Sequence, residues 1–226
     1  MDPRRALSFG SAAGAYDRAR AGYPAEALRW CLPAGATRVL DLGAGTGKLT
    51  RCLEELGLDV VAVEPDEQMR APGALAGTAE QIPLPDASVD ALLVGQAFHW
   101  FDAARAVPEM ERVVRPGGTI GLLWNVLDDA VPWVAQLCEL FGAEDRASYA
   151  LASVDRPYDA AMERALFPHV QPMDRELLAD NLRSRSSVIL LPEAERAELL
   201  ERARALPPTD AFDLPYVCDT WRAVRT

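Results

Sequence analysis

Val39-Leu40-Asp41-Leu42-Gly43-Ala44-Gly45-Thr46-Gly47 is an apolar strand running into a turn with glycines at alternate positions and a carboxylate two residues before the first. Bare backbone at the end of a buried parallel strand lets a nucleoside-bearing ligand lie almost against the chain, where side chains would block it. Asp41, Gly43, Gly45 and Gly47 therefore mark a cofactor site near the start of the sequence. A dinucleotide turn spaces its glycines Gly-x-Gly-x-x-Gly. Here the third glycine comes one residue early and Lys48 stands in its place, which disfavours nicotinamide chemistry.

Outward from this stretch, helices and strands alternate. Residues 24–32 suit a helix with Pro24 in its first turn, ended by Pro33-Ala34-Gly35. Lys48 to Leu56 carries Leu49, Cys52, Leu53 and Leu56 at helical spacing before Gly57 stops it. Asp59 to Glu64 is a continuous apolar run, as expected of a strand covered on both faces. Val89 to Val94 reads the same way. Ala103 to Val114 supplies a helix interrupted by Pro108, Pro116-Gly117-Gly118 turns the chain, and Thr119 to Trp124 is a further strand. This order predicts an α/β fold with a doubly wound, mostly parallel sheet.

Beyond Asp128 the pattern becomes mostly helical, over Val131–Phe141, Tyr158–Leu166 and Glu176–Leu182, with an amphipathic helix over Glu193–Leu206. Ala211 to Val224 is expected to return as edge strands. The reading is one domain over 1–226: an N-terminal lid with helices at 1–36, a cofactor-binding core at 37–127, and a helical cap with a C-terminal sheet edge at 128–226.

Half of the 226 residues are hydrophobic and a quarter are charged, the balance of a globular protein with a large core. The absence of long apolar runs and of a signal-like start predicts a cytoplasmic protein with no membrane partner. A formal net charge of −11 argues against broad nucleic-acid contact, since that needs a positive field. Cys31, Cys52, Cys138 and Cys218 are widely separated and form no Cys-x-x-Cys pair, and no acidic cluster has metal-ligand spacing, so no metal is expected.

In this setting residues 8–126 resemble the class I S-adenosylmethionine-dependent methyltransferases, in particular the small-molecule enzymes that include the ubiquinone/menaquinone and trans-aconitate methyltransferases. Asp41 to Gly47 is similar to the family's glycine loop, and Glu64-Pro65-Asp66 with Met69 to its ribose and adenine edge. Thr78 to Asp86 is similar to the adenine-side segment ahead of strand four. Gln96-Ala97-Phe98-His99-Trp100 resembles the segment facing the methionine moiety, and Arg115 to Thr119 the turn before strand five.

The resemblance implies a seven-stranded, Rossmann-like sheet with a helical cap after the fifth strand, and S-adenosyl-L-methionine as cofactor. It implies that Glu64 holds the ribose, that Ala79 and Glu80 face adenine, and that either Gln96 or Ala97 receives the ammonium. Tyr16-Asp17-Arg18-Ala19-Arg20-Ala21-Gly22-Tyr23-Pro24 is similar to a lid element of the subgroup, with Arg20, ahead of Arg18, suited to a cofactor carboxylate.

Methyl transfer from a sulfonium is an in-line displacement that demands alignment above all. His99 is the candidate base or substrate contact, the alternative being a packing or cofactor-contact histidine beside Trp100; His169 reads as structural. Tyr23, Trp100, Trp124 and Asn125 are candidates to line the acceptor pocket. Arg183, Ser184 and Arg185 are either readers of an acidic substrate or a solvated helix end. The expected reaction is methyl transfer to a small-molecule acceptor, with oxygen first. The alternative is a cofactor-binding protein of this fold without methyl transfer.

Overall fold

A computed structural model describes residues 19–140 and 162–226. The elements run α1 (Ala25–Cys31), β1 (Arg38–Leu42), α2 (Lys48–Glu54), β2 (Asp59–Val63), β3 (Val89–Gly95), a 3-10 turn (Phe98–Trp100), α3 (Ala103–Val113), β4 (Val114–Leu127), α4 (Pro132–Glu139), β5 (Glu163–Asp174), α5 (Arg175–Arg183), α6 (Ser186–Ile189), α7 (Glu193–Arg204) and β6 (Ala211–Val224). The strands form one six-stranded sheet in the order β2-β1-β3-β4-β6-β5. β1 pairs in parallel with β2 and β3, and β3 with β4. The doubly wound, mostly parallel α/β fold stands.

Among the described residues the strand count is six, and a single parallel bridge, Val63 to Leu75, lies on the free edge of β2. Leu75 donates to the Ala62 carbonyl at 2.8 Å and accepts from the Glu64 N–H at 3.0 Å. Pro72-Gly73 before it and Gly77 after it leave too short a run to extend the pairing.

The described residues divide into two units. The sheet unit comprises 22–125, 162–167 and 218–226. Its core is α1 and α2 laid on the strands: Ala27, Leu28, Cys31, Leu49 and Leu53 pack with Val39, Ala91, Leu93 and Leu123. Gly121 lets α1 approach, since a Cβ there would lie 2.8 Å from Cys31 Sγ. The Pro116-Gly117-Gly118 turn is a bulge inside β4. Val89 pairs with Val114 and Ala91 with Thr119, so five residue steps of β4 answer two of β3, and Gly117 takes φ +77°. α3 runs unbroken through Pro108, because Pro108 and Ala104, whose carbonyl loses its donor, both face solvent.

The helical unit comprises 19–21, 126–140 and 168–217. Val134 and Leu137 of α4, Leu178, Ala179 and Leu182 of α5, Leu200 and Ala203 of α7, and Leu214 and Tyr216 of β6 form its core. α7 is less amphipathic than its sequence suggests, burying only Leu200 and Ala203.

Two expectations for the C-terminal half are corrected. Tyr158–Leu166 does not read out as a helix: 163–166 begin β5, while 158–161 lie outside the described residues. Along β5 half-buried Ala165, Phe167, His169 and Gln171 alternate with exposed Leu166, Pro168, Val170 and Pro172, a period of two. Both prolines are tolerated because β5 ends the sheet and needs no ladder donor on its open side. Ala211–Val224 is one long strand, set between β4 and β5, not at the edge. It runs antiparallel to β4: Gly117 and Gly118 bond to Arg225, while Asp128, just past the far end of β4, bonds to Pro215.

Candidate cofactor and active site

In the sheet unit the carboxyl ends of β1, β2 and β3 converge on the glycine loop. Gly43, Gly45 and Gly47 take φ of +74°, +53° and +81°, the left-handed region that glycine enters without a Cβ penalty. At Gly43 the demand is also spatial. A Cβ there would stand 2.8 Å from Ala97 Cβ and 3.4 Å from Phe101 Cζ, so the loop touches the segment after β3 directly. Gly45 faces Met69, whose Cε would be 3.7 Å from a Cβ.

Glu64 closes the loop from the β2 side. Its Oε2 accepts the Gly45 N–H and its Oε1 the Asp66 N–H, each at 2.9 Å. The side chain is buried, and burial raises its pKa although both N–H bonds and Arg70 oppose the rise. Arg70 completes the clasp, donating Nε to the Glu64 carbonyl and Nη2 to that of Pro65, which is itself exposed. Ala71 N–H then reaches the Gly45 carbonyl at 3.1 Å.

Asp41 sits deeper, 1% exposed. Thr50 Oγ1 donates to its Oδ2 at 2.6 Å, while Oδ1 is buried with no hydrogen-bond partner among the described residues. Burial pushes its carboxyl up to about 7, against the Thr50 bonds and with the added repulsion of Glu64.

The segment after β3 brings a second unsatisfied acceptor. Gln96 holds φ +57°, unusual for a side-chain-bearing residue and a sign that surrounding structure fixes it. Its backbone N–H bonds Leu123 O, its Nε2 donates to Asn125 O at 3.0 Å, and its Oε1 is buried without a partner among the described residues. Asn125 is 8% exposed and spends its amide on the Gly22 carbonyl at 2.9 Å. Tyr23 lies over the end of β3, its hydroxyl in the space that a Cβ on Gly95 would need. Tyr23, Gln96 and Asn125 are therefore gathered at the ends of β3 and β4. Trp124 is almost wholly buried.

Beyond Ala97 the 3-10 turn carries His99. Its ring lies 4.8 Å from that of Trp100, its Nδ1 is buried without a partner among the described residues, and burial lowers its pKa to about 4. The imidazole is neutral at pH 7.

On the remaining side Ala79 is buried and Glu80 Oε1 accepts the Asp102 N–H at 2.9 Å. Burial would raise the Glu80 carboxyl, but that bond, with Thr78 and Arg105, takes it below its usual value. The segment is fixed from behind by Arg112, which donates to the Ile82 and Leu84 carbonyls and pairs with Glu109 and Asp86.

The structure thus gathers Tyr23, Asp41, Gly43, Ala44, Gly45, Glu64, Pro65, Met69, Ala79, Glu80, Gln96, Ala97, His99, Trp100, Trp124 and Asn125 in the sheet unit. Tyr16 lies outside the described residues. Arg20 belongs to the helical unit, where its Nε donates to Ser184 Oγ at 2.9 Å and its Nη2 to the Ser184 carbonyl at 3.2 Å. Thr50, Arg70 and Arg112 escaped the sequence reading. Only Thr50 left a signal, an uncharged hydroxyl in the first helical turn after the glycines. Among the described residues no helix is long and apolar enough to cross a membrane.

A family described as a methyltransferase domain matches residues 40–122. A methyltransferase of Mycobacterium tuberculosis (strain ATCC 25618 / H37Rv), described as uncharacterised, is 47% identical over 96% of this chain and 95% of its own. The malonyl-[acyl-carrier protein] O-methyltransferase of Pectobacterium atrosepticum is 37% identical over 51% of this chain and 50% of its own. A solved structure from Anaeromyxobacter dehalogenans, described as a candidate type II methyltransferase, shares the fold with a TM-score of 0.67 at 24% identity, covering 91% of this chain and 97% of that one. With a near full-length methyltransferase relative and this glycine-loop geometry, the chain belongs to the class I S-adenosylmethionine-dependent methyltransferases.

Proposed function

We propose that this enzyme moves the methyl group of S-adenosyl-L-methionine to an oxygen of a small-molecule acceptor, and that the sheet-unit residues above hold the cofactor. One observation carries the reading: the left-handed glycine loop is flanked by two buried acceptors, Asp41 Oδ1 and Gln96 Oε1, that no other described residue satisfies. Buried acceptors without donors are rare and costly. A cationic amine beside bare backbone is the ligand chemistry that satisfies both.

In this reading Asp41 and Gln96 receive the ammonium, Gly43, Ala44, Gly45 and Ala97 give passage to the methionine and ribose, and Glu64 accepts from the ribose hydroxyls. Each Glu64 oxygen keeps a lone pair beyond its backbone bond. Pro65, Met69, Ala79 and Glu80 border adenine. The cofactor supplies an already activated methyl carbon, so the chain's task is to align the acceptor and exclude water.

Neutral His99 offers a nitrogen that accepts a hydrogen bond from an acceptor hydroxyl and orients it, with Tyr23, Trp100, Trp124 and Asn125 shaping the surroundings. The name of the Pectobacterium relative supports oxygen as the receiving atom. Residues 128–226 are the part of the chain to which acceptor choice is assigned.

Thermal unfolding with S-adenosylhomocysteine, compared with NAD, tests the cofactor reading, since a ligand of the folded state raises its stability. A rise with the first alone is expected. No rise with it at millimolar concentration refutes the site. Transfer of a labelled methyl from S-adenosylmethionine to members of an acceptor panel then tests the reaction.

A further inference from the structure

Asp41 is held by a single residue of α2. Thr50, third in that helix, donates its hydroxyl to Asp41 Oδ2 at 2.6 Å, and its backbone N–H bonds to the same carboxylate. A threonine inside a helix can return its hydroxyl to the carbonyl four residues back. For Thr50 that carbonyl belongs to Thr46 and accepts from Arg51 Nη1 at 2.9 Å, while the Thr50 hydroxyl goes to Asp41.

The rest of the surroundings do not orient the carboxylate. Its neighbours across the sheet are the apolar Ala62 on β2 and Leu93 on β3, and the charge that bears on it is the repulsive one of Glu64 at the end of β2. With Oδ2 engaged by Thr50, rotation of the group is checked. Oδ1, buried with no partner among the described residues, is then the oxygen open to a ligand.

The same bond places the proton. Oδ2 already accepts a hydrogen from Thr50, so an Asp41 proton sits on Oδ1, where it turns the open acceptor into a donor. A donor at that point repels an ammonium, and an ionised carboxylate attracts one.

We propose that Thr50 is a positioning residue for the cofactor's amine, holding Asp41 so that Oδ1 is the oxygen that receives the ammonium. The assignment rests on the cofactor reading above. On binding, the Oδ1 proton passes to solvent and an N–H of the ammonium donates to that oxygen. The Thr50 bonds favour the ionised carboxylate and so ease this loss; without the hydroxyl, a higher pH is needed for tight binding.

Calorimetry on the full chain tests this with S-adenosylhomocysteine, which carries the amine, and with methylthioadenosine, which lacks the amino-acid tail. Thr50→Val keeps the branched shape and removes the hydroxyl. It is expected to weaken S-adenosylhomocysteine by about tenfold at neutral pH and methylthioadenosine by less than about twofold. S-adenosylhomocysteine affinity of the parent should rise with pH through about 7, and the midpoint of that rise should move up in Thr50→Val. Thr50→Ser, which restores the hydroxyl, should bring affinity to within about threefold of the parent and return the midpoint. In an Asp41→Asn background the Thr50→Val loss should shrink several-fold, because the carboxylate it acts through is gone. Thr50→Ala carries the same expectations where Thr50→Val does not fold.

Equal losses of the two nucleosides in Thr50→Val make the hydroxyl a support of the loop alone and overturn the assignment. So does a loss that Thr50→Ser does not restore, or one that persists undiminished with Asp41→Asn. A parent that binds neither nucleoside refutes the cofactor reading itself. A parent that binds S-adenosylhomocysteine with an affinity that Asp41→Asn leaves unchanged keeps that reading and removes the amine contact, and the role of Thr50 with it.

Discussion

Glu64 Oε2 accepts the Gly45 N–H at 2.9 Å, so the carboxylate that ends β2 is fastened to the middle of the loop that follows β1. One side chain therefore shapes the loop and presents the proposed ribose contact. Glu64→Ala is expected to lower stability by about 1–3 kcal/mol, because the Gly45 and Asp66 N–H groups lose their acceptors. It should also weaken S-adenosylhomocysteine by at least about tenfold, the worth of a charge-assisted bond. Denaturant unfolding and calorimetry on one preparation separate the effects. A stability loss with unchanged affinity removes Glu64 from the ribose site.

Asp41 links the site to pH. An unfolded chain ionises this carboxyl near its ordinary value of 3.8, whereas the folded chain holds the proton up to about 7. Between these values the folded state binds more protons, so the Asp41 contribution to stability is whole below about pH 4 and is lost as pH rises through 7. Asp41→Asn removes that loss. The stability of Asp41→Asn minus that of the parent should rise from pH 4 to pH 7.5, and a flat difference contradicts the shift. If Asp41 receives the ammonium, S-adenosylhomocysteine binding by the parent at pH 7 also releases protons, seen as heats that vary with buffer ionisation, and this release vanishes in the variant.

Gly43 tests the loop without touching a polar group. A methyl there meets Ala97 Cβ at 2.8 Å with the backbone at φ +74°. Gly43→Ala should cost about 1–3 kcal/mol from strain and crowding, and cofactor affinity should fall with it. Pairing it with Ala97→Gly relieves the contact but not the φ. Partial recovery of the melting temperature in the double variant is the expected signature, and none would place the cost in the backbone alone.

The parallel core was legible because its strands are buried on both faces and punctuated by glycine and proline: β1, β2 and β3 fall within a residue of their expected limits. β5 was not, since Leu166 and Val170 put apolar groups on its exposed side and Pro168 and Pro172 read as loop breaks. The glycine loop was visible from spacing. Its supports were not, because the Thr50, Arg70 and Arg112 contacts join residues by folded geometry with no pattern in the chain. Arg185 was visible as a charge, yet only the fold shows that it turns inward while Arg183 turns out.

The role proposed for His99 turns on its basicity. Burial lowers its pKa to about 4, so across pH 6 to 8 the imidazole carries no charge and does not titrate. A nitrogen that weakly basic orients a hydroxyl better than it removes its proton, since base strength falls with pKa. His99→Ala should lower kcat by about ten- to a hundredfold while leaving S-adenosylhomocysteine affinity within about twofold. The kcat profile of the parent should be level from pH 6 to 8 with respect to this group. His99→Asn, which keeps a hydrogen-bonding side chain, should recover part of the loss, and an equal loss in both variants contradicts a positioning role. A parent profile that rises through pH 6.5 and flattens in His99→Ala would show a histidine titrating near its ordinary value and acting as the base.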